Sequence, residues 1–565
     1  MLNKANVKLQ DQPELVWQAI NWQRANKLVN QLRQRIYSAT AAGDIKRVRN
    51  LQRLLIHSTA NKLKAIRSVT QLNQGRNTPG IDRVIASNDK QRYALYQQLC
   101  HYKTNQVKPV KRVYIPKSRG QHRPLGLPTI IDRCQQSVVK SALEPYWEAQ
   151  FEGSSYGFRP GRSAHDAIQK VFCIARTRNT RKWVLDADIK GAFDHIDHRY
   201  LLERIGNFPA RRWIESWLKA GVMTQGQLEA TPQGTPQGGI VSPLLLNIAL
   251  HGLEKEMGVE HDSYGRISKQ SAYALVRYAD DLVIFGRSQA SLEEAKSKLA
   301  GHLGKRGLEL SEHKTQICHL QEGFDYLGFH IKHYENLHRR TGKVLLIKPS
   351  KESVRDFRAM MKAEWDKVLG IDVGDAIKHL NQKIRGWGQY YCHSASKRTL
   401  SAMDHWMWKR QTRYCYRRHP NKLWWWKRKK YWGSIPGRRD KWVFMDKTTG
   451  SYLWKLGWFP IRRHVLVKGG NSTDDPALKT YWWKRQSQKR RYAFGVRSRL
   501  WSRQQGVCPV CKAPIDNGEE IHLHHKQARS EGGENRLDNL WMLHKTCHKQ
   551  IHSNYGKAAE LLRTA

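Results

Sequence analysis

The sequence predicts an α+β protein of several domains, on three observations. First, 565 residues are too many for one hydrophobic core, so the chain should hold three or more domains. Second, apolar residues recur at helical spacing in residues 14–72 and again in 351–401. Third, short runs rich in Val, Ile and aromatic residues, bounded by turn residues, predict strands at 183–188 and 274–285.

The charge balance is strongly basic. There are 99 Lys and Arg residues against 48 Asp and Glu, a formal net charge of +51. Such an excess makes a compact protein repel itself unless its usual partner is a polyanion. Nucleic acid is therefore the first candidate partner and an anionic membrane surface the second. A mean hydropathy of −0.71, and no apolar run near the ~20 residues of a spanning helix, argue against a membrane.

Cysteine usage and the start of the chain predict a cytoplasmic protein. The nine cysteines are mostly scattered, which does not suggest a disulfide framework. The first ten residues lack the apolar core of a secretory signal, so no secretion is expected.

The N-terminal helices are predicted from apolar spacing and a cap. The first helix carries Trp17, Ile20, Leu28, Leu32 and Ile36 at roughly helical spacing. Asp44 is a plausible N-cap for a second helix with Ile45, Val48, Leu51 and Leu55 on one face. Basic residues cover the other faces, which fits packing on a neighbouring domain as well as contact with RNA.

Two aspartates stand at the centre of the segment Ala274–Phe285. Apolar runs flank Asp280 and Asp281, which predicts a β-hairpin with both carboxylates at its tip. Hard cations such as Mg²⁺ prefer carboxylate and phosphate oxygens, and a two-metal site needs a further carboxylate from elsewhere. An ordinary acidic turn is the alternative for the Asp pair by itself.

A second apolar strand, beginning at Trp183, leads into Asp186 and Asp188. Asp188 could supply the missing third carboxylate, and the carbonyl of Ile189 a further oxygen ligand. Phe193 follows five residues later, where it could lie beside an incoming sugar and admit or exclude a 2′-hydroxyl.

Two loops carry candidate nucleotide contacts. Residues 111–133 read as strand, basic turn and strand, from which Lys111, Lys117 and Arg123 could reach a triphosphate; a solvated basic loop is the alternative. Residues 233–247 form a Gly/Pro turn, with Gln237, before a helix capped by Ser242 with Pro243 as its first residue. The glycines of this turn would let the backbone approach a base pair.

A basic, aromatic segment spans residues 405–441. It holds 13 Lys or Arg residues and one acidic residue, interleaved with Trp and Tyr. Stacking and phosphate contacts together favour single-stranded or looped RNA, whereas an aromatic core with a basic surface explains only some of the tryptophans. Residues 479–499 add eight basic residues and no acid.

The last sixty residues carry metal-ligand spacings. Cys508-Pro-Val-Cys511 and His544-Lys-Thr-Cys547 fit a tetrahedral structural Zn²⁺. A redox Cys-x-x-Cys would want a βαβ context, which is missing here. His548 and His552 lie at i and i+4 on one helical face and could chelate one ion.

Seven motifs in order resemble the reverse transcriptases, over about residues 80–335. The general ones are Asp188 in Asp-Ile-x-x-x-Phe-Asp, the Pro-Gln-Gly turn and Tyr278-Ala-Asp-Asp281. The group II intron branch is indicated by Ile-Pro-Lys…Arg-Pro-Leu-Gly-Leu-Pro-Thr, Ser-Tyr-Gly-Phe-Arg-Pro, Gly307-Leu-Glu-Leu-Ser-Glu-His-Lys-Thr and Phe324-Asp-Tyr-Leu-Gly-Phe.

This resemblance implies a right-hand polymerase with fingers, an antiparallel palm sheet and a helical thumb. Asp188, Asp280 and Asp281 match the Mg²⁺-binding triad. The matched nucleotide contacts are Lys117 and Arg123 facing the dNTP, Gln237 under the base pair, Phe193 excluding ribonucleotides and Lys314 near the pyrophosphate. Residues 384–391 resemble the thumb or maturase segment, and 479–499 the DNA-binding region.

The tail resembles the His-Asn-His (HNH) nucleases, which have a ββα-metal fold. The resemblance implies that His525 is the general base, that His524, His548 and His552 hold a divalent metal, and that Asn539 orients the loop carrying His525. His544 stands where a fourth Cys is usual, and His522 is the alternative ligand at the zinc. A zinc finger without cleavage is the alternative for the whole tail.

The sequence is thus identified as a group II intron-encoded protein. We expect an N-terminal extension (1–80), fingers and palm (81–345), a thumb or maturase domain (346–455), a DNA-binding region (456–500) and an HNH nuclease (501–565). The resemblance implies that the protein binds its intron RNA and assists splicing, nicks target DNA, and copies the intron from that nick. We expect it in the bacterial cytoplasm, associated with the nucleoid through DNA. A splicing cofactor without polymerase activity and a retron-like or immunity-associated reverse transcriptase are the alternatives.

Overall fold

The computed structural model describes residues 17–116, 122–262, 265–435, 437–490, 496–517, 519–534 and 536–552. It confirms the α+β class, with separate sheets in the fingers, palm and tail and helices before, between and after them. Lys117 lies outside the described residues. No helix in these ranges is both long and apolar enough to cross a membrane.

An N-terminal helical bundle packs on the body of the protein. Its helices and those they pack against are α1 (Trp22–Ala41), α2 (Ile45–His57), α3 (Thr59–Arg67), α4 (Asp89–His101) and α5 (Ile130–Glu148). The predicted cap is confirmed, because an Asp44 carboxylate oxygen accepts a hydrogen bond from the Arg47 backbone N–H at 2.9 Å. Val48, Leu51 and Leu55 are buried, whereas Ile45 is exposed.

The fingers are built on a four-stranded sheet of order β2-β1-β4-β5. Its strands are β1 (Val110–Pro116), β2 (His122–Leu127), β4 (Val222–Thr224) and β5 (Gln227–Glu229). The first two form the predicted antiparallel hairpin, and β4 runs parallel to β1. The two strands predicted within residues 111–133 are therefore confirmed, while the basic turn between them, residues 117–121, lies outside the described residues.

The palm is a four-stranded antiparallel sheet of order β6-β7-β3-β8. Its strands are β3 (Trp183–Asp188), β6 (Ala274–Tyr278), β7 (Asp281–Gly286) and β8 (Gln316–His319), and the helices around it are α6 (Ala164–Ile174), α7 (His198–Ile205), α8 (Arg211–Lys219), α9 (Ser242–Ala249), α10 (Leu253–Glu256) and α11 (Gln289–Gly304).

Both faces of the palm sheet are buried, which explains the unbroken apolar runs in its strands. On one face, Val184 and Val283 belong to the core cluster that contains α6. On the other face, Leu185 and Ile284 pack with Leu292 of α11. The hairpin β6–β7 and the strand β3 are where the sequence predicts them.

Helix α9 corrects one detail of the sequence prediction. Ser242 is its first residue rather than its cap, and Val241 precedes it without a capping side chain. The Ser242 hydroxyl instead donates to the Pro236 carbonyl at 2.9 Å. The hydroxyl thus ties the helix to the preceding Gly/Pro turn.

The thumb follows a three-stranded sheet, β9 (Phe324–Tyr326), β10 (Phe329–Glu335) and β11 (Lys343–Pro349). Its elements are α12 (Lys351–Lys367), α13 (Val373–Tyr391), α14 (Lys397–Arg418), α15 (Trp424–Tyr431), β12 (Trp432–Gly433) and β13 (Val443–Phe444). Trp365 and Trp432 are buried in an aromatic core with Tyr414 and Phe444, while Trp425 is exposed. The core explanation therefore accounts for some, but not all, of the tryptophans.

The tail has the ββα order. After α16 (Lys479–Arg490) and α17 (Val496–Arg503), an antiparallel hairpin of β14 (Ile521–His525) and β15 (Leu540–His544) leads into α18 (Lys545–His552). Apolar residues of the tail, such as Leu500 and Leu543, belong to the same buried cluster as Trp22 and Ile66. The tail thus shares a core with the N-terminal bundle.

The close approach at Gly157 gives a test of the palm packing. A Cβ at this position would lie 2.3 Å from the Ala279 backbone nitrogen. We expect Gly157→Ala to cost about 1–3 kcal/mol of stability, because the core is overpacked. Gly386→Ala in α13 is the control: its Cβ meets nothing within 4 Å, so it should be neutral or stabilising. Calorimetry on both variants measures this, and equal melting temperatures would contradict it.

Candidate active sites

Three aspartates meet in one open cleft of about 880 Å³ between fingers and palm. Asp188 ends β3, Asp281 begins β7, and the two are paired across the strands. Asp280 lies in the turn between β6 and β7. Ile189 also lines this cleft. The structure therefore brings together residues that lie nearly a hundred positions apart.

The carboxylates of the cleft repel one another, which favours the binding of a cation. Burial and then the charges of Asp280 and Asp188 raise the pKa of Asp281 to about 7, and burial chiefly raises that of Asp280. Lys314 partly balances the cluster, with its Nζ 2.6 Å from an Asp188 carboxylate oxygen. Three converging carboxylates are the oxygen donors that a hard divalent ion prefers, so the donor set fits Mg²⁺.

Asp186 is a carboxylate that the sequence interpretation left without a role. It lines the same cleft, and burial followed by the charge of Asp281 raises its pKa to about 7. Its position two residues before Asp188 on one strand is the signal that places both on the same face.

A buried arginine holds the turn that carries Asp280. Arg277 Nη1 donates to Asn247 Oδ1 at 3.0 Å and to the Ala279 carbonyl at 3.2 Å. Asn247 Nδ2 in turn donates to the Gly157 carbonyl at 2.9 Å. Ala279 has a positive φ of 59°, a conformation that costs energy for a residue with a side chain. Burial lowers the pKa of Arg277 to about 10, so it stays cationic at neutral pH.

Sequence reasoning missed Arg277 and Asn247. An arginine inside an otherwise apolar strand is a usable signal, because a buried charge requires hydrogen-bonding partners. Nothing local marks Asn247 as that partner.

The fingers contribute some of the expected nucleotide contacts. Arg123, Phe193 and Gln237 line the cleft, and the charge of Arg123 acts to lower the pKa of Asp280 and Asp281. Lys111, on β1, is not among the residues that line it. Gln237 Nε2 donates to Asp194 Oδ2 at 3.3 Å.

The glycine at position 238 allows the Gly/Pro turn to pack closely against the fingers sheet. Its φ is +120°, and a Cβ there would lie 2.5 Å from the Gly126 carbonyl oxygen. The Gly126 N–H donates to the Gln237 carbonyl at 2.6 Å. Glycine at 238 is therefore required by its close contact with β2, and the approach of this turn to a base pair stays a prediction.

Phe193 has an aromatic neighbour in the cleft. The rings of Phe158 and Phe193 are edge to face, with centroids 6.2 Å apart. Phe158 is about half exposed and has a φ of +60°. The two rings form one wall of the cavity that holds the aspartates.

The four residues predicted to bind zinc, here called the zinc knuckle, converge in the tail. The donor atoms of Cys508, Cys511, His544 and Cys547 all lie within 4.8 Å of one another, and all four residues are buried. His544 Nε2 lies 3.0 Å from the Pro514 carbonyl, which leaves Nδ1 facing the thiols. Three thiols and one imidazole fit a tetrahedral Zn²⁺. His522 instead faces Glu520 and the ring of His548.

A second cluster joins His524 of β14 to His548 and His552 of α18. Its donor atoms also fall within 4.8 Å of one another. Burial and the neighbouring histidines lower the pKa of His524 to about 4, which keeps its imidazole neutral. Its Nδ1 is buried without a hydrogen-bond partner in the structure as described. Three converging imidazoles, one of them with an unsatisfied nitrogen, fit a divalent metal.

His525 and Asn539 lie at the mouth of the β14–β15 hairpin. His525 ends β14 and is partly exposed. Asn539 Oδ1 accepts from the Gln527 N–H at 2.8 Å, and Nδ2 donates to the Glu534 carbonyl at 2.9 Å. These bonds fasten the loop that follows His525.

Comparison with known proteins bears on both centres. Family models match residues 115–331 (reverse transcriptase, RNA-dependent DNA polymerase), 17–99 (N-terminal domain of reverse transcriptase), 355–432 (group II intron, maturase-specific domain) and 508–554 (HNH endonuclease). Protein YkfC of Escherichia coli is 31% identical over 60% of this chain and 97% of its own length. The chain belongs to the group II intron-encoded reverse transcriptases.

Two further relatives are similar to parts of this reverse transcriptase. The group II intron-encoded protein LtrA of Lactococcus lactis is 32% identical over 47% of this chain and 55% of its own length. An uncharacterised 91 kDa protein in the cob intron of Schizosaccharomyces pombe is 28% identical over 50% of this chain and 43% of its own. The maturase match decides against a retron-like or immunity-associated lineage.

The zinc ligand assignment can be tested on this group II intron protein by metal analysis. His544→Ala should lower bound zinc well below one atom per chain, because one of four ligands is lost. His544→Cys should retain zinc, since thiolate replaces imidazole at this metal. His522→Ala is the control and should retain zinc as the wild type does. Loss of zinc from the His522 variant with full retention in His544→Ala would reverse the assignment.

Proposed function

We propose that this reverse transcriptase binds its intron RNA, assists its splicing, nicks target DNA with the tail and copies the intron into DNA from the nick. The observation that carries the proposal is the presence, in one chain, of a three-aspartate cleft and a three-histidine cluster. The first suits polymerisation of dNTPs and the second suits hydrolysis of a DNA strand. A nick leaves the 3′ end that a polymerase requires.

In the palm, Asp188, Asp280 and Asp281, with the Ile189 carbonyl, would hold Mg²⁺. When bound, Mg²⁺ supplies activation of the primer 3′-hydroxyl and neutralises charge on the transferred phosphate. The residues of the chain orient the reactants around these carboxylates.

Other residues of the cleft would contact different parts of the incoming nucleotide. Arg123 and Lys314 contribute positive charge for the triphosphate and the leaving pyrophosphate. Lys111, on the fingers hairpin with Arg123, adds positive charge outside the cleft lining. We expect Lys117 to contribute charge to the triphosphate as well. Gln237 supports the base pair, and Phe193 faces the sugar, where it would exclude a 2′-hydroxyl. Lys314 must leave Asp188 to do this, because the two form an ion pair here.

The thumb offers a surface for structured RNA. Trp408, Tyr416, Trp425 and Trp442 are between 38% and 61% exposed. The first three stand among the basic residues of 405–441 and Trp442 follows directly, with the Arg428 guanidinium over its ring at 4.6 Å. Exposed rings stack with unpaired bases while the cations contact phosphates. This surface supports the maturase role.

In the tail, His525 would act as general base and take a proton from water. His524, His548 and His552 would hold a divalent metal, which when bound stabilises the charge of the cleaved phosphate. Asn539 keeps His525 in place through the loop bonds. The knuckle's Zn²⁺ would be structural, because all four of its ligands are buried.

Primer extension tests the palm. Purified protein without intron RNA should extend a primer on an RNA template with Mg²⁺ and dNTPs. Asp280→Ala should reduce extension at least about 100-fold, because a charge-stabilising ligand is lost, while RNA binding stays within twofold. Glu309→Ala, at an exposed carboxylate paired with Lys190, is the control. Equal extension by Asp280→Ala and the wild type would disprove the palm assignment.

A wild-type protein that binds RNA tightly but does not extend leaves two explanations. Either intron RNA must order the cleft, or the chain is a splicing cofactor. Adding the cognate intron separates them, since only the first restores extension.

Nicking tests the tail. His525→Ala should reduce nicking of a DNA duplex, carrying the joined sequences that flank the intron, at least about 100-fold. Bound zinc should stay near one atom per chain, because His525 is not in the knuckle. His338→Ala, at an exposed histidine in the palm–thumb region, is the control. Undiminished nicking in His525→Ala would show that the base is wrongly placed.

A further inference from the structure

The nuclease helix α18 is fastened to the N-terminal bundle. Arg67, the last residue of α3, forms an ion pair with Glu519 at 2.6 Å, and the two side chains are only 5% and 4% exposed. The Arg67 guanidinium also lies 4.6 Å over the ring of Trp22. A buried pair of this kind holds its geometry tightly, because either charge alone would be strongly unfavourable.

Glu519 passes this contact directly to α18. Its second carboxylate oxygen accepts a hydrogen bond from the Thr546 backbone N–H at 2.8 Å. Thr546 is the second residue of α18, where the helix has backbone donors without partners of their own. Arg67, Glu519 and Thr546 thus form a continuous chain of bonds from one domain to the other.

Hydrogen bonds of two more side chains fix the same helix. Gln550 Nε2, one turn further along α18, donates to the Gln18 carbonyl at 2.7 Å and to the Ile20 carbonyl at 3.2 Å. Gln71 Nε2 reaches the Thr546 hydroxyl at 3.5 Å. The N-terminal residues therefore contact α18 at its start and at its middle.

Helix α18 carries Cys547 and two of the three clustered histidines, His548 and His552. The third, His524, comes from β14. The alignment of this cluster therefore depends on the position of α18 against the hairpin. The tail's own core is small and merges with that of the bundle, so the hairpin alone is a weak support for the helix.

We propose that the N-terminal bundle is a structural part of the nuclease, in which Arg67 acts through Glu519 as a positioning residue for the histidines of α18. This rests on the proposed nuclease function of the tail. It makes DNA nicking depend on Arg67, a residue in the N-terminal domain of the reverse transcriptase. Its partner Glu519 lies 452 positions later in the sequence. The bundle also holds the nuclease in one orientation to the rest of the chain.

The test compares nicking with primer extension in the full-length protein bound to its intron RNA. Arg67→Met removes the charge but keeps much of the side-chain length. It should slow nicking about 10- to 100-fold, because small misplacements of catalytic groups have effects of that size. It should also raise the Mg²⁺ concentration for half-maximal nicking, with primer extension within twofold and zinc near one atom per chain.

Two further variants should have intermediate effects on the nicking rate. Arg67→Lys keeps the charge and should recover part of the nicking rate. Glu519→Gln keeps an acceptor for the Thr546 N–H but loses the ion pair, so it should fall between the wild type and Arg67→Met.

Arg33→Met is the matched control. Arg33 is a largely buried arginine of the same bundle, 14% exposed, and its described ion pairs are with Glu144 and Asp474 rather than with the tail. It should leave the ratio of nicking to extension unchanged even if it lowers stability.

Three outcomes would overturn the proposal: wild-type nicking in Arg67→Met, a parallel fall of nicking and extension, or loss of zinc together with nicking. The last would mean that Arg67 holds the knuckle together rather than aligning the histidines. His525→Ala in the same assay separates this from the proposed function. If it nicks normally, the nuclease assignment fails; if it is inactive while Arg67→Met is active, only the positioning role fails.

Discussion

The palm depends on holding three carboxylates together against their mutual repulsion. Backbone pairing of β3 with β7 sets Asp188 opposite Asp281, and the turn adds Asp280. A slip of one residue would exchange the side chains that pack in the two different cores on the faces of the sheet, so the packing of both cores holds this register. Arg277 and Asn247 then fix the turn from beneath. The unfavourable charge cluster is thus stabilised by apolar packing and a buried hydrogen-bond network.

The two candidate metal sites use donors of different charge. The palm gathers anions and surrounds them with basic residues such as Arg123 and Lys314. The tail gathers three imidazoles, and burial lowers the pKa of one of them, His524. In the palm, two strands supply Asp188 and Asp281 and the turn supplies Asp280; in the tail, β14 supplies His524 and α18 supplies the other two histidines. The positions of those neighbouring elements therefore decide whether the donors converge.

Much of this could be predicted from the sequence because the signals are local. The Asp pair between two apolar runs, the Cys-x₂-Cys spacing and His548 with His552 each lie within one element or one turn. The Asp44 cap was predicted for the same reason. Ser242 was wrong as a cap because its hydroxyl bonds to Pro236. That error arises where a second segment competes for the same group.

By itself, the sequence determined which residue types stand at which spacing, and hence the two chemistries and the family. Turn formation, capping and i, i+4 alignment depend on neighbours in the chain, so they can be read without the fold. Only the tertiary structure decided that Arg277 anchors the aspartate turn, that His544 rather than His522 joins the knuckle, and that the tail rests on Arg67. These contacts join segments far apart in sequence, and they exist only once the packing of the apolar cores has brought those segments together.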